Sequence, residues 1–228
     1  MRFRQLHRWD VGARRAAAIQ ETLRAQVILR FTGRPPRWIA GADVSYDRGA
    51  PLIYAAVVVL ELPSFRLVES AGATGRARFP YIPGFLSFRE APVVLAAFKK
   101  LRTRPDLLLC DGQGIAHPRG FGLASHLGLI LDLPSIGCAK SRLVGDHAPP
   151  GRAAGSSVPL AYRGRRVGAV VRTRDDVSPI YVSPGHRVGH GFAVQWTLAC
   201  CKGRRLPEPT RLAHQAVNRL RTAARDAS

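Results

Sequence analysis

No stretch of the chain is long and apolar enough to cross a membrane as a helix. The longest apolar runs, such as Leu52 to Leu60, fall well short of the roughly 20 residues a span needs. The opening MRFRQLHRWD is basic but has no apolar core behind it, so no secretory leader is expected. Four cysteines, Cys110, Cys138, Cys200 and Cys201, lack the C-x-x-C or Cys/His spacings of a zinc site and lie in or beside apolar runs. They are expected to be the reduced, buried thiols of a cytoplasmic protein. Acidic residues are scarce, with 15 Asp and Glu against 35 Lys and Arg, a net charge of +20. So large a positive field on 228 residues points to a polyanionic partner. Lysine is scarcer still, at Lys99, Lys100, Lys140 and Lys202, and the remaining cations are arginines, whose planar forks grip phosphate oxygens two at a time. An arginine-favouring genome would raise the arginine share; it would not set the sign of the charge. Internal repeats and low-complexity tracts are absent from the sequence.

What is present is a mixed α/β pattern. Apolar positions at helical spacing (Ala18, Ile19, Leu23, Val27) predict an amphipathic helix over 14–29. After GRPPR the texture changes to three runs rich in Val, Ile and Tyr, over 37–46, 51–63 and 65–73, joined by short turns: an antiparallel meander. Ser87 and Glu90 have the S-x-x-E spacing of a capping box at the start of a helix over 87–102. The all-apolar LLLC before Asp111 reads as a strand buried on both faces, LASHLGLIL as a helix and PSIGCA as the next strand. Strands over 166–172 and 179–183 and helices near 191–200 and 212–221 complete the chain, with 149–157 as the expected mobile loop. A three-stranded meander followed by alternating helices and strands is the order of a ribonuclease-H-like sheet, here in a single domain whose basic residues 1–14 are expected to be flexible. Carboxylates at the carboxyl edge of neighbouring strands can converge in such a sheet.

Three acids stand out because an unpaired carboxylate in an apolar setting is costly to desolvate. Asp43 lies within the strand IAGADVSY, Asp111 ends the strand before a glycine turn, and Glu90 sits in the first turn of its helix. Together they could hold Mg²⁺ or Mn²⁺, hard cations that prefer oxygen ligands and retain waters. Each also has a purely structural use: Asp43 in a turn, Glu90 in the capping box, Asp111 on backbone amides. Histidines can ligate metal or donate a proton. Of these His117, six residues past Asp111, sits where a loop could face the site, His126 lies mid-helix and is expected to be packed, and His186, His190 and His214 carry no stronger local signal. Lys140, just past a strand end, is either a phosphate- or water-positioning cation or a solvated one.

The blocks FPYIPGFLSFRE and DGQGIAHPRGFGLASHLG closely resemble the endonuclease V family, repair nucleases that nick DNA near deoxyinosine. GADVSY, GCAKSRL, VRTRDDVSPIYVSPGHRVG and LPEPTRLAHQAVNRLR extend the likeness over about 39–221. The resemblance implies a ribonuclease-H-like fold with Asp43, Glu90 and Asp111 as a Mg²⁺ centre (Mn²⁺ as substitute), His214 near the metal or leaving group, and active-site roles for His117 and Lys140. It implies that Pro80, Tyr81, Ile82 and Pro83 form a wedge filling the gap left by a flipped lesion. Backbone around Gly84, Leu86, Gly112 and Gly137 would read the hypoxanthine. The implied enzyme is a monomer cutting the second phosphodiester bond 3′ of the lesion in DNA. The alternatives are cleavage of inosine-containing RNA and a catalytically silent nucleic-acid-binding module.

Overall fold

A computed structural model describes residues 3–47 and 51–226. The apolar runs after GRPPR form the expected meander: β1 (Trp38–Tyr46), β2 (Leu52–Glu61) and β3 (Arg66–Arg76), each antiparallel to the next. β1 also pairs in parallel with β4 (Leu107–Cys110), and β4 with β5 (Ser135–Ala139). Beyond them β6 (Ser157–Tyr162), β7 (Arg165–Val171) and β8 (Ile180–His186) turn antiparallel again, giving one eight-stranded sheet in the order β3-β2-β1-β4-β5-β8-β7-β6. This is the ribonuclease-H-like mixed sheet, extended at its far edge by an antiparallel hairpin.

Side chains of a strand alternate between faces, and the core divides accordingly. Ala40, Ala42, Leu108 and Cys110 pack with α2 (Leu86–Lys99) and α3 (Leu123–Leu131). Ile39, Leu107 and Leu109 point the other way, into a cluster with Ala193 of α4 (His190–Ala199). α5 (Glu208–Asp226) lies across β1 and β2 on that second face, burying Val217 against Tyr54 and Ala56. Gly41 permits this approach, because a Cβ there would stand 2.0 Å from the Pro209 carbonyl oxygen. All four cysteines are buried and free. Among the described residues no helix is long and apolar enough to cross a membrane.

Four local readings need correction. Ser87 and Glu90 form no capping box: α2 begins at Leu86 and its N-cap Phe85 makes no side-chain cap. Both side chains are instead drawn inward, Ser87 to His126 and Glu90 to Tyr46. The expected mobile loop is tied down, with Arg172 donating to the carbonyls of Gly151 and Pro150, and Asp175 accepting from the Ala154 amide. β6, absent from the sequence reading, follows it; Pro159 argues against a strand, yet β6 is the sheet edge, where a residue without an N–H is tolerated. The opening segment, read as flexible, is packed from Phe3, with Phe3, Leu6 and Trp9 against the core ahead of α1 (Ala13–Leu23).

Candidate active site

The register of β1 and β4 places the first two acids side by side. Ala42 pairs with Cys110, so Asp43 and Asp111 are the next residue on each strand, and the Asp111 amide donates to the Ala42 carbonyl at 3.3 Å. Glu90 reaches the same point from α2. Asp43 and Glu90 are only 8% and 6% exposed, which is little for carboxylates without a cation beside them. Burial, then repulsion from Asp111, raises the Asp43 pKa, against a hydrogen bond from His214. Burial pushes Glu90 up to about 8, with Asp43 and Asp111 adding repulsion and the Tyr46 hydroxyl opposing it. The three acids therefore share one electrostatic site.

Each acid is also held by a neighbour. The Tyr46 hydroxyl donates to Glu90, the Lys140 ammonium pairs with Asp111, and His214 Nδ1 meets Asp43 Oδ2 at 2.6 Å. With the side chains so turned, no group of three His, Cys, Asp or Glu among the described residues is arranged to hold a metal ion. The donor chemistry still fits a hard divalent cation: the ligands available are carboxylate oxygens, and their mutual repulsion is what such a charge relieves. His214 is fixed further by Asn218, whose amide lies 3.0 Å from Nε2 and whose own carbonyl accepts from Ser45.

Beside the acids opens a cavity of about 330 Å³, lined by Tyr81, Ile82, Pro83, Gly84, Leu86, Gly112, Asp111, His117 and Lys140 among the expected residues. Tyr81 stands at its rim, 71% exposed. Pro80 and Gly137 do not line it. Gly137 lies behind the Gly112–Gly114 turn, where a Cβ would come within 2.5 Å of the Gly114 nitrogen; its bareness lets that turn sit close to β5. His117 turns both ring nitrogens to backbone groups. Its Nε2 donates to the Gly84 carbonyl at 2.9 Å, and Nδ1 accepts from the Arg119 amide at 3.2 Å. Burial pushes its pKa down to about 4, so it is neutral near pH 7. It is a pin for the loop that carries Gly84. Gln20 and Arg119 donate to the same carbonyl at 3.1 and 2.8 Å, and Gly84 itself sits at φ +81°, where a Cβ would be strained.

The sequence reading missed Ser87, Gln113, Ser141, Arg142 and Leu143 in the lining, and Tyr46, Gln20, Arg119 and Asn218 around it. Ser141, Arg142 and Leu143 follow Lys140, and Ser87 and Gln113 adjoin Leu86 and Gly112, so all five could have been found by extending those blocks. Tyr46 and Gln20 meet their partners only across long sequence separations, whereas Asn218 and Arg119 stand close in sequence to His214 and His117.

A mixed ribonuclease-H-like sheet with carboxylates gathered at adjoining strand ends defines a nuclease of that fold class. The endonuclease V family model matches residues 21–215. An endonuclease V from Gloeobacter violaceus is 50% identical over 223 residues, covering 96% of this chain and 90% of its own length. The crystal structure of endonuclease V from Streptomyces avermitilis superposes with a TM-score of 0.90 at 44% identity, covering 95% of this chain and 96% of that one. Another, from Ciona intestinalis in complex with a 24mer DNA containing an inosine followed by a ribo-adenosine, gives 0.78 at 25% identity, with 91% and 96% covered. The chain belongs to the endonuclease V family and is an endonuclease. Nucleases of this family are generally metal-dependent.

Proposed function

We propose that the protein nicks DNA at the second phosphodiester bond 3′ of a deaminated purine, deoxyinosine above all, and so opens its repair in the cytoplasm. The observation that carries this is the meeting of Asp43, Glu90 and Asp111 beside a cavity rimmed by exposed Tyr81. Asp43 and Asp111, with Glu90, would hold Mg²⁺, or Mn²⁺ in its place, which when bound supplies positive charge at the scissile phosphate. Lys140 then has its cation at the cavity wall, within reach of phosphate oxygens once Asp111 is otherwise engaged. His214, half-exposed and held by Asp43 and Asn218, would serve the leaving 3′ oxygen. Tyr81, with Pro80, Ile82 and Pro83 behind it, fills the space vacated by the turned-out base. Gly84 and Leu86 open the backbone to that base on one side of the cavity and Gly112 on the other, while Gly137 supports the Gly112 turn.

Asp111→Asn tests the centre. With an inosine-bearing duplex and Mg²⁺, nicking is expected to fall by about 100-fold or more, while binding of the duplex persists; full nicking would remove Asp111 from the centre. Inosine-bearing RNA is a second substrate, favoured by one observation: the DNA bound by the Ciona relative carries a ribonucleotide directly after the inosine. Cleavage rates on matched DNA and RNA strands decide between them.

A further inference from the structure

Lys140 springs from backbone that the sheet does not hold. The ladder of β5 with β4 ends at Gly137, and its ladder with β8 ends at the pair Ala139 and Tyr181, so Lys140 lies beyond both. A side chain from elsewhere takes that backbone up. Arg205, in the linker between α4 and α5, donates from Nη2 to the carbonyl oxygens of Lys140 and Pro179, each at 3.2 Å, and from Nε to the Ser178 carbonyl oxygen at 2.9 Å. The next carbonyl along, that of Ser141, accepts from Gln113 at 3.1 Å. Arg205 is itself anchored: its own carbonyl accepts at 2.7 Å from the hydroxyl of Thr173, a buried residue just past β7.

One residue thus fastens the exits of β5 and β7 and the entry of β8 to the linker that leads into α5. Arginine suits the task because its N–H groups lie in one rigid plane, and the two hydrogens of a single Nη can meet carbonyls of different segments. Its donors are committed to the protein's own backbone. The Lys140 side chain leaves this same backbone toward Asp111 and the cavity. Its four-carbon stem is flexible, so the ammonium keeps one place beside the acids only if the point from which the stem departs is fixed. The linker then runs directly into α5, which carries His214, so that the cation and the imidazole are referred to one frame.

We infer that Arg205 is a positioning residue for strand cleavage, acting through Lys140, whose backbone it clamps so that the ammonium stands at the cavity wall. The inference rests on the reading of Lys140 given above. A guanidinium that only closed the sheet edge would matter to stability alone, and would matter equally whichever side chain stood at position 140, because the carbonyl it grips belongs to the backbone. A positioning residue matters to the cleavage step only while the lysine is there to be positioned.

The test is a double-mutant cycle on nicking of an inosine-bearing duplex with Mg²⁺ and protein in excess, comparing wild type, Arg205→Ala, Lys140→Ala and the double variant. Arg205→Ala is expected to lower the saturated rate about 10- to 100-fold, as misplacement by about 1 Å does, while the half-saturating protein concentration stays within about twofold. In the Lys140→Ala background the same substitution should lower the rate by less than about twofold, since residues acting as a unit are not additive. The melting temperature should fall by the same amount in both backgrounds. Should Arg205→Ala fail to fold, Arg205→Lys, which keeps the charge and loses the planar fork, carries the same comparison. Equal rate losses in both backgrounds would make Arg205 a fastener of the sheet edge, and a loss confined to the half-saturating concentration would make it a phosphate contact; either overturns the inference. Undiminished nicking by Lys140→Ala alone would instead strike down the reading of Lys140, and the role of Arg205 with it.

Discussion

Tyr81 shows how exposure separates function from packing at a single side chain. At 71% exposed it has little buried area to lose, so Tyr81→Ala should change folding stability by less than about 0.5 kcal/mol. A wedge, by contrast, is in use only when a base is displaced, and stacking of one base on an aromatic ring is worth about 1–3 kcal/mol by alanine substitution. Affinity for an inosine duplex should therefore drop about tenfold, with a much smaller drop for unmodified duplex, measured by titration in EDTA; equal drops would make Tyr81 a loop aromatic. The acids were legible at this scale because a carboxylate in an apolar strand of a basic chain needs an explanation. Tyr46 and Gln20 were not: one meets Glu90 across 44 residues and the other Gly84 across 64, and nothing local marks either.

Between elements, the docking of α5 on β1 sets the relation of His214 to Asp43. The helix can lie this close only because Gly41 is bare, a Cβ there falling 2.0 Å from backbone that cannot swing aside. Gly41→Ala should cost about 2 kcal/mol or more, seen as a lowered melting temperature. It should also reduce nicking beyond what unfolding explains, since His214 is carried off with its helix; normal nicking by the folded fraction would sink this link. Periodicity in the sequence found the meander, the crossover strands and α3, because each is a run whose burial follows from its own pattern. The pattern failed where a side chain answers to a distant partner: the Ser87/Glu90 spacing mimics a local cap, but both groups are taken by tertiary contacts. It failed also at β6, whose proline is tolerated only because the sheet ends there.

Over the whole molecule, buried groups of opposite titration bracket the pH of greatest stability. Burial pushes His117 and His186 down to about 4, and the fully buried His126 lies well below its ordinary value too. Such groups take up protons in the unfolded chain before the folded one, so stability is whole above about pH 6.5 and drains away as pH falls toward 4. For His117 alone the span is worth roughly 3 kcal/mol. Glu90 acts with the other sign: held near 8, it keeps its proton in the folded state after the unfolded chain has lost it. Its contribution is whole at low pH and is lost as pH rises through 8. Below pH 6.5 three histidines outweigh one glutamate, and above it the glutamate acts without them. Thermal melts in EDTA should therefore peak near pH 6.5, falling on both sides. The alkaline fall belongs to the burial of the Glu90 carboxylate, with repulsion from Asp43 and Asp111 added, so saturating Mg²⁺ should flatten it and leave the acid fall in place, and Glu90→Gln should flatten it without metal. A melting temperature level from pH 6.5 to 8.5 in EDTA would mean that Glu90 does not carry the cost that its burial and its acidic neighbours require.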